Sequence, residues 1–322
     1  MPTFVERIRA HLLRHEQLSQ WPAFVELVNR PAVEGSLPCW EYAVLACRAE
    51  RGQEDDALPA TVALFCQLLG IHLLDDLIDE DPQGRQHEYG VGTVANLASA
   101  FQGLAISAIS DSELPETTKL EALRRMAEMQ TATCWGQQLD AWDAEDEAEY
   151  WRLARTKTPP LFGFALALGA LAAGAGSRRA AEYDELGVSL GLLVQVSDDA
   201  SDALSRPAKA DWQRRGSNLA ILYARNVDHE QRDRFVELAS EVDDPEALRE
   251  AQEILVRCGA FSYCAYKMVK FSQDARAKVA DLDPPDHQPL LGFIEHLTEP
   301  LVSMLKRAGV EAPGELVRGA GS

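Results

Sequence analysis

Positive charge is scarce in this sequence. Its 322 residues include 31 lysines and arginines against 51 aspartates and glutamates, which gives a formal net charge of −20 at pH 7. Nucleic acids and anionic membrane surfaces attract basic proteins and repel strongly acidic ones. We therefore expect no nucleic-acid partner and no electrostatic attachment to a membrane surface.

The sequence also has little that indicates export or a membrane. Its six cysteines form no CxxC pair and no cluster with zinc-ligand spacing, so we expect reduced thiols in a cytoplasmic protein. The first residues lack the apolar core of a signal peptide. One uncharged run, residues 158–177, has the length of a short membrane span, but its many alanines and glycines favour a buried helix. We expect no membrane span.

Patterns typical of β-strands are missing as well. Long segments instead place apolar residues three and four positions apart, as in "TTKLEALRRMAEMQTATCWGQQLDAW", and clusters of proline, glycine and aspartate separate these segments. We predict an all-α protein with one large helical domain over residues 1–308 and a flexible tail over residues 309–322.

Two copies of an acidic motif stand out against this background. Each copy has the spacing DDxxD and follows an apolar run: Asp75, Asp76 and Asp79, and Asp198, Asp199 and Asp202. On a helix, the first and last aspartates of each motif lie one turn apart on the same face. Carboxylates that converge take up protons unless a cation lies among them, and such oxygen ligands suit Mg²⁺. One motif alone would be an ordinary acidic helix end, but two copies favour a metal-dependent clamp for a diphosphate.

These motifs and the residues between them resemble the trans-isoprenyl diphosphate synthase superfamily. The segment "GQQLD", residues 136–140, resembles its GQxLD segment. Lys157 and Thr158 resemble its KT pair, and Gln195 stands three residues before the second motif, like the glutamine of FQxxDD. The similarity extends over about residues 60–300.

The resemblance implies a helical bundle of the isoprenoid synthase type around a central apolar cavity, and it suggests a homodimer. The two triads would hold Mg²⁺, three ions in this family, and bind the diphosphate of an allylic prenyl substrate, which leaves as an anion. Metal ions and cations stabilise such a developing charge. We assign catalytic roles to Lys157, Arg85 and Thr158 and a supporting role to Gln195. Taken alone, Lys157 would be a surface lysine and Gln195 a core amide.

The sequence departs from the family where the second substrate, isopentenyl diphosphate, binds. It contains no GGKxxR segment, Leu68 stands in place of a histidine, and Gly84 and Arg85 replace an arginine pair. An anion site without basic groups leaves the charge of its ligand uncompensated. In this respect the chain resembles synthase-fold terpene synthases and ComQ-type prenyltransferases.

We therefore predict an enzyme that ionises farnesyl or geranylgeranyl diphosphate. It would then cyclise the prenyl group, as a class I terpene synthase, or transfer it to another acceptor such as a peptide or an aromatic compound. The alternative is a trans-prenyl diphosphate synthase that elongates its substrate with isopentenyl diphosphate. A third interpretation is a non-catalytic subunit of a heteromeric synthase, although such a subunit need not keep two intact triads.

Small or aliphatic residues precede the first motif. In the synthases, bulky aromatics four and five positions before this motif stop the growing chain, whereas this sequence has Ile71 and Gly70 there. This favours a cavity that accepts a chain of farnesyl length or longer, unless another side chain, such as Phe101 or Trp135, closes it.

Overall fold

A computed structural model describes residues 3–30, 41–80, 83–140, 144–212, 216, 218–307 and 309–319. Within these ranges every regular element is a helix, so the prediction of an all-α protein is confirmed. The α-helices are α1 (Phe4–Leu12), α2 (Pro22–Asn29), α3 (Glu41–Ala49), α4 (Leu58–Ile78), α5 (Gln86–Tyr89), α6 (Val91–Ser110), α7 (Glu116–Asp140), α8 (Glu147–Lys157), α9 (Pro159–Ala172), α10 (Ser177–Asp202), α11 (Leu219–Asn226), α12 (Arg232–Ala239), α13 (Pro245–Arg257), α14 (Ala260–Leu282), α15 (Gln288–Arg307) and α16 (Pro313–Arg318).

The chain divides into two compact units. Unit 1 comprises Met1–Ala127, Phe164–Tyr183 and Pro284–Pro289, and unit 2 comprises Glu128–Gly163, Asp184–Asp283 and Leu290–Ser322. The first aspartate motif belongs to unit 1 and the second to unit 2. The single domain that the sequence predicts over residues 1–308 remains a prediction.

In unit 1, helix α4 carries the first aspartate motif at its C-terminal end. This helix is apolar over most of its length and packs along α6, and nine of its 21 residues are buried. The two helices come close at Gly70, where a Cβ atom would lie 3.4 Å from the carbonyl oxygen of Ala98. Apolar burial of this kind stabilises the helix. The aspartates of the motif therefore stand at the end of a firmly packed helix.

In unit 2, glycines on α10 let the backbone of this helix pack directly against the start of α9. A Cβ atom on Gly191 would lie 2.5 Å from the Cα atom of Pro159, and one on Gly187 would lie 2.5 Å from the Cα atom of Gly163. Because no side chain fits into these gaps, the two backbones can approach each other. The predicted buried helix within residues 158–177 is therefore confirmed as α9, which is 14 residues long.

The last residues that the structure describes are packed. Helix α16 buries Val317, which is 2% exposed. Ser272 on α14 donates a hydrogen bond to the carbonyl oxygen of Val317, and Gln273 donates one of 2.8 Å to that of Leu316. Residues 313–318 thus form a helix held by one apolar side chain and two hydrogen bonds, and the flexibility of the tail over residues 309–322 stays a prediction. Residues 320–322 lie outside the described part.

Two helical segments of unit 1 have the length and composition of a membrane span, Glu54–Ile78 and Val91–Ser110. In the most apolar 18-residue stretch of each segment, the protein buries 56% of the residues of the first and 44% of those of the second. Core helices of proteins without a membrane segment meet the same criterion, so this observation alone is weak support for a span.

Candidate active site

The second aspartate motif combines exposed and buried carboxylates at the end of α10. Asp198 is exposed, whereas Asp199 is only 2% exposed. Asp199 continues a buried stripe on this helix that also contains Leu192 and Val196. Residues three and four positions apart share a helix face, so this arrangement follows from the spacing alone.

Asp199 is held by hydrogen bonds from within the protein. Its Oδ2 atom accepts one of 2.6 Å from the hydroxyl of Tyr150 and one of 2.8 Å from the backbone N–H of Leu219. Its Oδ1 atom accepts one of 2.9 Å from Nε2 of Gln195. Burial raises the pKa of Asp199 to about 7, and these three donors oppose that shift. Through these hydrogen bonds Asp199 ties α8, α10 and α11 together, and its role as a metal ligand stays a prediction.

Thr158 and Gln195 belong to the same hydrogen-bonded chain. The hydroxyl of Thr158 donates to Oε1 of Gln195 at 2.5 Å, and the amide nitrogen of Gln195 donates to Asp199. The two bonds orient the amide of Gln195 unambiguously, since its oxygen accepts and its nitrogen donates. Gln195 thus connects the end of α8 to the second motif.

Asp198 and Asp202 have the surroundings of cation ligands. Partial desolvation, followed by the charge of Asp202, raises the pKa of Asp198 to about 6. The Nζ atom of Lys209 lies 3.7 Å from Oδ1 of Asp202. Carboxylates at a helix C-terminus are also disfavoured by the helix dipole. A bound cation would relieve both effects, and the oxygen donors suit Mg²⁺.

Lys157 lies beside a buried aspartate. Its Nζ atom is 2.7 Å from Oδ2 of Asp140, which is 2% exposed, whereas the side chain of Lys157 is 30% exposed. The end of α7 approaches the end of α8 at Gly136, where a Cβ atom would lie 2.5 Å from the carbonyl oxygen of Thr156. The glycine and the aspartate of "GQQLD" thus place and orient the ammonium group of Lys157.

Further polar groups of unit 2 surround these residues. Burial raises the pKa of Asp211, while a hydrogen bond of 3.1 Å from Asn218 opposes this shift. Asn218 also donates a hydrogen bond of 2.7 Å to the backbone oxygen of Asp199 and caps α11. The sequence analysis did not assign these groups to the site: Asp140, Tyr150, Lys209, Asp211 and Asn218. For Asp140 the signal was present in "GQQLD", but nothing in the sequence pattern distinguishes the others.

The first motif lies where α4 ends. Asp75, Asp76 and Asp79 are half-buried, and the backbone N–H of Asp79 donates a hydrogen bond of 2.9 Å to the carbonyl oxygen of Asp75. Glu80, directly after the helix, has a φ of 49°. This left-handed conformation is uncommon for a residue other than glycine. The chain therefore turns sharply after the third aspartate of the motif.

Arg85 returns to the first motif through its backbone. Its N–H group donates a hydrogen bond of 2.9 Å to Oδ2 of Asp76. Desolvation lowers the pKa of His72, which favours its neutral form. The negative charges of Asp75 and Asp76 oppose this shift, and the positive charge of Arg85 adds to it. The structure thus brings Arg85 together with the first motif, and it adds His72 as a neighbour that the sequence analysis did not assign.

Mg²⁺ fits these residues by the chemistry of the donors. Asp75 and Asp79 are one turn apart at the end of α4, and Asp198 and Asp202 are one turn apart at the end of α10. In the part of the chain that the structure describes, no group of three or more histidine, cysteine, aspartate or glutamate side chains has an arrangement that could hold a metal ion. Ligation by these pairs therefore stays a prediction, as does the number of ions.

Phe101 lies beside the glycine that precedes the first motif. Its Cβ atom is 3.9 Å from the position of a Cβ atom on Gly70, and its ring stacks on that of Phe24 at a centroid distance of 5.2 Å. Trp135, the other aromatic residue that the sequence suggests, is 49% exposed. Of the two, Phe101 is the better candidate to limit the space near Gly70.

Comparisons with known proteins extend these findings. The family model described as Polyprenyl synthetase matches residues 43–255, which include both motifs. A farnesyl diphosphate synthase from Escherichia coli (strain K12) is 31% identical over 222 residues, which are 60% of this chain and 73% of that protein. A geranylfarnesyl diphosphate synthase from Aeropyrum pernix is 26% identical over 247 residues, 70% of this chain and 77% of that protein.

Solved structures show the same fold. A geranylgeranyl pyrophosphate synthase superposes with a TM-score of 0.81 at 18% identity, over 93% of this chain and 99% of that chain. A polyprenyl synthase from Caulobacter crescentus CB15, crystallised with calcium and isoprenyl diphosphate, gives a TM-score of 0.77 at 21% identity, over 93% of each chain. The resemblance that the motifs indicated is confirmed.

Proposed function

This chain belongs to the polyprenyl synthetase family, and we propose that it is a trans-prenyl diphosphate synthase, which joins an allylic prenyl diphosphate to isopentenyl diphosphate. The observation that carries this proposal is the family match over residues 43–255, which spans both aspartate motifs and the Lys157 region. The relatives found are prenyl diphosphate synthases. They do not support the main expectation from the sequence, cyclisation or transfer to another acceptor, and they favour its alternative.

In the proposed reaction the C–O bond of the allylic diphosphate breaks, and the diphosphate leaves with the electron pair. The double bond of isopentenyl diphosphate forms a C–C bond with the allylic carbon, and a proton is then lost. Mg²⁺, when bound, neutralises the charge of the leaving diphosphate.

The residues of the chain supply orientation and charge. Lys157, aligned by Asp140, offers a charge-assisted hydrogen bond to the leaving diphosphate. Thr158 and Gln195 hold the end of α8 to α10 and so set the positions of the exposed aspartates relative to Lys157. Such fixed donors stabilise developing charge without the need to reorganise during the reaction.

A second candidate function remains because of one specific observation. The basic groups that bind isopentenyl diphosphate in the family are missing at Leu68 and Gly84, and no GGKxxR segment occurs. The segment 29–38, nearest to where GGKxxR would stand, lies mostly outside the described residues. These losses favour cyclisation or a peptide or aromatic acceptor, so the dependence on isopentenyl diphosphate decides between the two functions.

We further propose a homodimer in the cytoplasm. The exposed face of α6 carries uncharged residues, among them Val91, Ala95, Gly103 and Ile106. In a chain with a formal net charge of −20, such a face is a suitable contact for a second copy because it brings no like charges together.

Product analysis tests the proposed function. The purified protein is incubated with Mg²⁺ and geranyl, farnesyl or geranylgeranyl diphosphate, each with and without isopentenyl diphosphate, and the products are identified by mass spectrometry. We expect a longer prenyl diphosphate only when isopentenyl diphosphate is present together with the allylic substrate. The Asp198→Ala variant should form no such product. A hydrocarbon or alcohol that forms at the same rate without isopentenyl diphosphate would establish the second candidate instead.

A further inference from the structure

Unit 2 contains a cavity of about 640 Å³ that the proposed reaction does not use. Helices α8, α10 and α14 line it. Four of its lining residues are cations, namely Arg155, Lys267, Lys270 and Lys278, and two are acids, Glu185 and Asp274. In a chain with 20 more acidic than basic residues, this local excess of positive charge is unusual.

Two of the four cations are already paired. Lys267 lies 2.9 Å from Glu147 and over the ring of Trp151. Lys278 lies 3.1 Å from Asp274, which also accepts a hydrogen bond from Ser189. The charges of these two lysines are therefore largely compensated.

Arg155 and Lys270 provide the uncompensated charge. Among the residues that the structure describes, neither has a carboxylate within ion-pair distance, and the ammonium group of Lys270 lies 5.6 Å from the ring centroid of Tyr266. A guanidinium presents a planar fork of donors that matches the oxygens of phosphate groups, and an ammonium adds a point charge. The pair is suited to bind an anion.

The cavity also has an apolar wall. The rings of Trp151 and Phe271 meet edge to face with centroids 5.6 Å apart, and Val188 and Leu192 continue this surface. The indole N–H of Trp151 donates a hydrogen bond of 2.7 Å to Glu147, which fixes the ring. An inorganic anion would leave this wall without contacts, whereas an organic body attached to the anion would cover it.

The cavity is separate from the second aspartate motif. Ser189 precedes Asp198 by nine residues on α10, which corresponds to about 13 Å along a helix axis. Arg155 and Lys157 are two residues apart on α8, and side chains at that spacing do not share a face. A ligand held by Arg155 therefore does not occupy the place of one held by Lys157.

We propose that this cavity is a second anion site, which binds phosphate or diphosphate esters with an apolar body and does so without a metal ion. Arg155 and Lys270 bind the phosphate oxygens, and the wall formed by Trp151, Val188, Leu192 and Phe271 contacts the organic part. Prenyl diphosphates and nucleotides share this chemistry, and the test distinguishes them.

Calorimetric titration in EDTA tests the proposal, because the chelator removes metal-dependent binding at the aspartate motifs. Farnesyl diphosphate, ATP and inorganic diphosphate are titrated into the full chain and into Arg155→Glu and Lys270→Glu. Lys306→Glu is the control, since it makes the same change of charge at an exposed lysine on α15. Asp198→Ala shows whether the second motif contributes, and melting curves show that each variant is folded.

We expect farnesyl diphosphate or ATP to bind more tightly than inorganic diphosphate, and the preferred ester identifies the source of the ligand. Arg155→Glu and Lys270→Glu should each weaken binding by about tenfold or more, whereas Lys306→Glu and Asp198→Ala should leave it unchanged. Equal affinity for inorganic diphosphate would overturn the role of the apolar wall. Absence of binding, or binding that folded Arg155→Glu and Lys270→Glu retain, would overturn the site.

Discussion

Asp198 and Asp199 are neighbours in sequence with opposite surroundings. Asp198→Ala removes an exposed carboxylate, so we expect the melting temperature to stay unchanged while Mg²⁺-dependent turnover is lost. Asp199→Ala leaves the hydroxyl of Tyr150, the amide of Gln195 and the N–H of Leu219 without an acceptor. We expect that variant to lose about 2–4 kcal/mol of unfolding free energy.

Urea unfolding and diphosphate release measure the two effects. Asp199→Ala with wild-type stability would contradict the anchoring role, and Asp198→Ala with wild-type turnover would contradict the metal role. The sequence alone suggested equal roles for both aspartates, although the apolar stripe through Leu192 and Val196 already placed Asp199 on the buried side of α10.

Variants of the Lys157–Asp140 ion pair can distinguish its contribution to stability from its contribution to catalysis. Lys157→Ala removes the ammonium group 2.7 Å from the buried carboxylate of Asp140, and we expect a loss of about 1–3 kcal/mol in unfolding free energy together with a loss of turnover. The double variant Lys157→Ala/Asp140→Ala removes both charges, so it should recover much of the stability but none of the turnover. Recovery of turnover in the double variant would show that Lys157 does not act on the diphosphate.

Residues that complete the site from distant parts of the chain could not be predicted. Tyr150 and Asn218 reach Asp199 from positions 49 and 19 residues away. Their spacing follows no motif, because these contacts depend on how α8 and α11 pack in unit 2. The motif residues could be predicted since their spacing itself places them on one helix face.

At the scale of elements, the contact between α7 and α8 depends on a glycine. Gly136→Ala puts a Cβ atom 2.5 Å from the carbonyl oxygen of Thr156 and 2.8 Å from the nitrogen of Lys157. We expect a loss of about 1–3 kcal/mol in stability and a lower kcat, because the end of α8 that carries Lys157 must shift. Gly292→Ala on α15 is the matched control: a Cβ atom there meets nothing within 4 Å.

The control variant Gly292→Ala should be about 0.5–1 kcal/mol more stable than the wild type, because alanine is favoured over glycine in a helix interior. Thermal denaturation and steady-state kinetics of both variants provide the measurement. If Gly136→Ala matched Gly292→Ala in stability and kcat, close packing would not be what positions Lys157.

The packing of α4 on α6 makes a prediction about product length. If Phe101 limits the space beside Gly70, then Phe101→Leu should yield products longer by at least one isoprene unit. Phe24→Leu removes the stacking contact between Phe24 and Phe101 by changing the other ring. It should therefore lower the unfolding free energy about as much as Phe101→Leu does, but leave the product length unchanged. Chromatography of the dephosphorylated products distinguishes these outcomes, and identical products from wild type and Phe101→Leu would exclude this role.

Helices were easier to predict than their ends. The apolar spacing in the segment of α7 and the Ala/Gly-rich run of α9 suffices to predict both helices. Helix α16 was missed because it owes its order to tertiary contacts, the burial of Val317 and two hydrogen bonds from α14. A six-residue helix has little stability of its own.

At the scale of the whole molecule, membership in the family and the loss of basic residues point in different directions. The family match and the fold favour elongation, whereas Leu68 and Gly84 leave fewer cations for a second diphosphate. The two motifs are common to both functions, and the missing basic residues alone favour cyclisation or transfer to another acceptor. The proposed synthase requires that isopentenyl diphosphate binds with the cations that remain.

The stoichiometry of a single turnover tests this central claim most directly. Enzyme in excess over farnesyl diphosphate is mixed with Mg²⁺ and radiolabelled isopentenyl diphosphate, and released diphosphate and labelled prenyl product are measured together. The account predicts one diphosphate released for each isopentenyl unit incorporated in the first condensation, and negligible release when isopentenyl diphosphate is omitted. Rapid release of diphosphate without isopentenyl diphosphate, accompanied by a cyclic hydrocarbon or an alcohol, would contradict it.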